Sequence, residues 1–211
     1  MAKPKRSRGK VFLNIPYDDK FERLFVAYIA GLSALGLRPH ATLEIPDSTR
    51  RLEKILRIER SCEYSVHDLS RVELSPRKRG KPRVPRFNMP FELGLCVADA
   101  THAGTRKPNW FVFETVDMRV DKSLSDLKGT DPKIHGGRIT GVFGELRDVF
   151  RRRGRQATVQ QMSRVYRELR KRQQAILDES GADSLFKPSV FLDLCVVARS
   201  LVNEIVIQAE D

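Results

Sequence analysis

Cysteine is scarce in this chain: Cys62, Cys96 and Cys195 are the only three, far apart and each inside an apolar stretch. That excludes a disulfide framework and a cysteine-rich zinc module, and it reads as buried thiols in a reducing, cytoplasmic setting. No apolar run approaches the ~20 residues that span a bilayer. The apolar segment after the basic N-terminus, residues 11–15, is too short for a signal-peptide core, so no membrane partner is expected. Aromatic residues do not interleave with the basic runs, so the stacking half of a single-strand nucleic-acid signature is missing. Acids are outnumbered, 27 against 39 lysines and arginines, which leaves a net charge of +12. The excess concentrates in residues 3–10, 77–86 and 147–172. Such an excess attracts polyanions, either nucleic acid or phosphorylated small molecules. A solvated basic face is the plainer reading.

What is present is an alternation of short apolar runs and helical periodicities. Residues 10–14 read as a strand ended by Pro16. Phe21, Leu24, Phe25, Tyr28, Ile29, Leu32 and Leu35 then recur at helical spacing, closed by Gly36. Residues 38–44 predict a second strand, and Ser48 caps a helix carrying Leu52, Ile55 and Ile58. Residues 63–67 form a third strand ending at Asp68. Asn88 or Met89 opens a helix that tolerates Pro90 in its first turn, and residues 109–114 form a fourth strand. Strands alternating with helices predict an α/β fold, a mostly parallel sheet covered on both faces. From Ile139 the pattern is helical: 139–150, a break at Gly154, a basic amphipathic helix over 159–177, and a last helix over 190–207. The last is apolar on most of its circumference, so neighbours or a second subunit must cover it. The organisation expected is a basic arm over 1–9, an α/β domain over 10–152 and a helical extension over 153–211.

Parallel sheets bind ligands beyond the carboxyl ends of their strands. That rule collects Asn14, Tyr17, Asp18, Asp19, Glu44, Asp68 and the loop before Glu92 on one rim. Glu92, in Asn88-Met89-Pro90-Phe91-Glu92-Leu93-Gly94-Leu95, is a carboxylate among apolar residues one turn into a helix. Burying even a neutral polar group without a partner costs roughly 2–7 kcal/mol, so such a residue is held by a partner or kept for chemistry. A favourable interaction with the helix dipole is the plainer account. Asp68 at a strand's end suits hydrogen bonds from sugar hydroxyls, or an Asx turn. Arg86 stands just before a helix N-terminus that already favours anions. Two carboxylates, an amide, a phenol and guanidinium groups are what cleavage of an N-glycosidic bond asks for. The leaving base builds oxocarbenium charge at C1′, which a carboxylate stabilises or traps.

The order strand–Asn14-Ile15-Pro16-Tyr17, strand–Asp68, then Asn88-Met89-Pro90-Phe91-Glu92-Leu93-Gly94-Leu95 resembles the nucleoside 2-deoxyribosyltransferase-like superfamily and its TIR-like relatives, over roughly residues 10–115. The resemblance implies a flavodoxin-like sheet with Glu92 acting on C1′ and Asp68 as its acidic partner. Tyr17 would stand for the tyrosine near the first strand's end. The deoxyribosyltransferases proper carry an acid where Arg86 stands, followed by a small Ser-Gly-Thr segment where Phe87 and Asn88 stand. The chain is therefore closer to the TIR-like branch, some of whose members cleave NAD or sense nucleotides. Arginine in place of the acid favours a phosphorylated substrate.

The expected function is thus N-glycosidic cleavage or transfer on NAD or a nucleoside 5′-monophosphate, with a role in stress or phage defence by analogy. Glu92 and Asp68 would be catalytic, and Asn14, Tyr17, Arg86 and Asn88 would bind substrate. No metal and no cofactor are expected: His135 has no Cys or His at metal spacing. The C-terminal helices pack on the domain or build a homodimer; one alternative function is a nucleotide sensor, without catalysis, that signals through them. Another is a nucleic-acid-binding protein. The hydroxyl-, acid- and glycine-rich segment 123–137 reads equally as a lid or as a surface connection.

Overall fold

The computed structural model describes residues 7–45, 51–74, 80, 84–102, 109–151 and 156–207. Five strands, β1 (Ser7–Asn14), β2 (Arg38–Ala41), β3 (Cys62–Asp68), β4 (Trp110–Glu114) and β5 (Lys133–Ile134), form one all-parallel sheet in the order β2-β1-β3-β4-β5. This is the flavodoxin-like order, whose topological switch point lies between β1 and β3. The helices are α1 (Glu22–Ala34), α2 (Arg51–Ser61), α3 (Asn88–His102), the short α4 (Arg119–Ser123), α5 (Ile139–Val149), α6 (Val159–Glu179) and α7 (Pro188–Val202). A wider π-type turn, Asn203–Ile207, follows α7.

Helix α1 explains the architecture. Every residue from Leu24 to Ala34 is buried, because its composition leaves no polar stripe for water. One side lies on Val11, Leu13, Val66 and Phe113 of the sheet, and α5, α6 and α7 wrap the rest into the same core. The expected helical extension is therefore continuous with the core of the α/β domain. On the opposite face α2 and α3 cover Phe12, Cys62 and Val112. Helix α7 buries Val190, Phe191, Leu194, Ala198 and Leu201, while Leu192, Val196 and the following Ile207 stay exposed.

Three differences from the sequence reading have local causes. Strand β1 starts at Ser7, so residues 7–9 of the expected arm belong to the sheet; Gly9, at φ +76°, lies where the pairing with β3 shifts register, and its N–H donates to Glu63 Oε2 (2.6 Å). Strand β2 stops at Ala41, because the Glu44 carboxylate accepts the Ala41 N–H (2.9 Å) and turns residues 42–44 into a single 3-10 turn. Segment 123–137 contributes β5, whose two residues are too few to reveal a strand period. The expected cap Ser48 and the break at Gly154 lie outside the described residues.

Candidate functional site

Alternation along the strands decides which predicted residues can meet. Asn14 points to the α3 face of the sheet and Asp68 to the α1 face. Asn14 is buried, and its amide donates to Met89 O (3.0 Å) and to His67 Nδ1 (2.9 Å). Both hydrogens are therefore committed, and Asn14 ties β1 to the first turn of α3. Because His67 Nδ1 accepts, its proton sits on Nε2 and goes to Ser65 Oγ (3.0 Å). Ser65 Oγ is 3.1 Å from Cys96 Sγ, whose thiol reaches Glu59 Oε1 (3.1 Å). This buried chain crosses from β1 to α2 beneath α3. Complete burial pushes His67 down to about 3, so the ring is neutral.

Asp68 corrects the sequence expectation most clearly. Its side chain is fully buried, with Oδ2 accepting from Tyr28 Oη (2.7 Å) and lying 3.1 Å from His135 Nε2, while Oδ1 accepts the Ser70 N–H (2.8 Å). His135 Nδ1 accepts the Gly137 N–H (3.1 Å), so its Nε2–H is the one shared between Asp68 and Ser70 Oγ (3.0 Å). Helix α5 presses on this knot: a Cβ on Gly141 would stand 2.1 Å from the His135 carbonyl oxygen. Asp68 thus fastens β3 to α1 and to the turn after β5, and offers nothing to a ribose.

Arg86 and Asn88 are both exposed at the rim. Arg86 Nη1 donates to Asp18 Oδ2 (2.6 Å), which Arg71 Nε also approaches (3.4 Å). The guanidinium that the sequence assigns to phosphate is therefore already opposed by a carboxylate. Asn88 opens α3, and Pro90, which has no N–H to leave unpaired, follows in the first turn. Phe87 and Phe91, one turn apart, are 68% and 55% exposed beside Glu92.

Glu92 itself is half-buried and makes no hydrogen bond or ion pair among the described residues. Burial pushes its carboxyl from the ordinary 4.5 up to about 7, with Arg51 opposing the shift. Tyr17 is near enough for the two to interact: desolvation first, and then the charge of Glu92, raise the phenol, so it stays neutral. Its hydroxyl accepts from Thr42 Oγ1 (3.1 Å), and its ring packs on Phe25 (6.2 Å between centroids) and on Phe186 (5.9 Å) from the α6–α7 connection. The structure thus groups Glu92, Tyr17, Thr42 and Arg51 at the carboxyl ends of β1 and β2. Sequence reasoning missed Arg51, Thr42 and Phe186. Arg51 left a signal, since a cation in a helix's first turn opposes the dipole and asks for a reason. Thr42 and Phe186 left none.

These features define a parallel α/β protein of flavodoxin-like topology with a desolvated carboxyl group near the carboxyl ends of its strands. Comparison with protein-family models, curated proteins and solved structures finds no match to the chain. Among the described residues no helix is long and apolar enough to cross a membrane, and no group of three or more His, Cys, Asp or Glu is placed to hold a metal ion.

Proposed function

We propose that the chain cleaves or transfers the N-glycosidic bond of a nucleotide, NAD or a nucleoside 5′-monophosphate, with Glu92 acting on C1′. One observation carries this reading. Asp68 and Glu114 are buried acids held by hydrogen bonds, whereas Glu92 is desolvated without one. A carboxyl kept that way destabilises the fold, and chemistry is a reason to keep it. Ionised Glu92 would stabilise or trap the ribosyl cation as the base departs. Arg51, whose charge acts on Glu92, replaces Arg86 as the cation beside the site, Tyr17 walls the sugar as a neutral phenol, and Asp68 has no catalytic part.

The test is release of free base from a panel of NAD, ribonucleotides, deoxynucleotides and nucleosides by wild type and Glu92→Gln. Release by wild type alone is expected, with kcat/KM rising through about pH 7 as Glu92 ionises. A rate that falls through that pH would make Glu92 an acid and refute the C1′ role; silence across the panel would refute catalysis. A second reading, a nucleotide sensor, is favoured by Phe186, which links Tyr17 to the C-terminal helices. It expects nucleotide binding without base release, unchanged in Glu92→Gln. A role in stress or phage defence belongs to the catalytic reading and would need the same base release in cells.

A further inference from the structure

Helix α6 carries a row of positive charge that the fold does not need. Its buried side, Met162, Val165, Tyr166, Leu169 and Ile176, accounts for its docking on α1, α5 and α7. On the opposite side Gln160, Arg164, Arg167 and Lys171 follow one another at spacings of four, three and four, and all are exposed. The three cations span about 10 Å along the axis at 1.5 Å per residue. The last cation of the row, Lys171, is ion-paired to Glu168. Arg164 and Arg167 make no ion pair among the described residues. The neighbouring acids are already engaged: Glu168 with Lys171 (2.8 Å), and Glu22 of α1 with Arg170 (2.7 Å) and Gln173 (2.9 Å). Arg23, next to Glu22, is exposed and extends the positive surface onto α1. Like charges three and four residues apart weaken a helix by about 0.2–0.5 kcal/mol per pair. A face that only had to be wet would do better with alternating signs.

We propose that this face of α6 binds the phosphate backbone of a nucleic-acid duplex, independently of the Glu92 site. The chemistry selects the ligand. A duplex presents phosphates at about 3.4 Å of rise per strand, so a 10 Å row of cations faces about three of them. The row holds no aromatic residue, which removes the stacking that single strands reward and leaves a contact blind to sequence. Gln160 adds an amide donor at the end of the row.

The experiment is fluorescence anisotropy of the full chain with a labelled DNA duplex of mixed sequence, titrated at about 50 and about 200 mM salt. Two phosphate contacts, from the unpaired Arg164 and Arg167, give a log–log slope near −2, so the affinity falls roughly 12-fold between the two conditions. The double variant Arg164→Ala/Arg167→Ala is expected to weaken binding at least tenfold at low salt and to flatten the slope by about 2. The control Lys122→Ala/Lys128→Ala removes the same charge from exposed positions elsewhere and should leave the slope unchanged. Circular dichroism should be identical for wild type and both double variants, because Arg164, Arg167, Lys122 and Lys128 are all exposed. Glu92→Gln should bind as wild type does, which separates this surface from the glycosidase reading. Equal weakening by both double variants would reduce the effect to net charge and overturn the proposal. So would tighter binding to a single strand of equal length, or binding to vesicles of anionic lipid without binding to duplex.

Discussion

Replacing Glu92 with glutamine should stabilise the protein, and by an amount that depends on pH. In the unfolded chain this carboxyl ionises near 4.5; in the folded protein burial holds its proton to about 7. Between those values the folded state binds more protons than the unfolded one, so the contribution of Glu92 to stability falls as pH rises. Moving the carboxyl from 4.5 to about 7 costs about 3 kcal/mol, fully developed above pH 7 and absent below 4.5. Glutamine keeps the shape and has no charge to desolvate. Glu92→Gln should therefore match wild type at about pH 4.5 and exceed it by about 3 kcal/mol at about pH 8, a rise of roughly 6–12 °C in Tm for a chain of this size. Urea unfolding of both proteins across that range reads the difference directly. His67 works in the opposite sense over an overlapping window, so the wild-type profile alone would conceal the effect. A difference between the two proteins that stays constant from about pH 4.5 to 8 would refute the desolvation of Glu92, and with it the observation that carries the proposed function.

His67, neutral and buried with its pKa near 3, stabilises the fold above its ordinary 6.5 and loses that contribution as pH falls toward 3. Below about pH 5, His67→Gln should unfold over a flatter acid limb than wild type, in urea melts at fixed pH. Tyr28→Phe should cost about 1–3 kcal/mol, because it takes one hydrogen bond from the fully buried Asp68 carboxylate, and should leave any nucleotide affinity intact; a change in affinity without a change in Tm would restore Asp68 to the site. Gly141→Ala gains about 1 kcal/mol of helix propensity but sets a methyl 2.1 Å from the His135 carbonyl oxygen. The clash wins, and thermal melts should show about 3 kcal/mol or more of destabilisation.

The chain's own pattern determined the architecture. Apolar runs alternating with helical periods announced β1, α1, β3, α3 and β4, because strand and helix periods are local properties of side-chain order. The basic amphipathic character of α6 was equally legible, and so was the anomaly of a glutamate inside Phe91-Glu92-Leu93. The constellation was not. Asn14 and Asp68 both end strands, yet adjacent strands display them on opposite faces, and the pleat alone sends one to α3 and the other to Tyr28 and His135. Arg51 meets Glu92 only because α2 and α3 lie side by side on one face of the sheet. Phe186 reaches Tyr17 across a separation of 169 residues through the docking of α6 and α7 on α1. Periodicity specifies which face of an element is buried; which partners that face meets, and whether a buried carboxylate finds a donor, is decided only when the layers close.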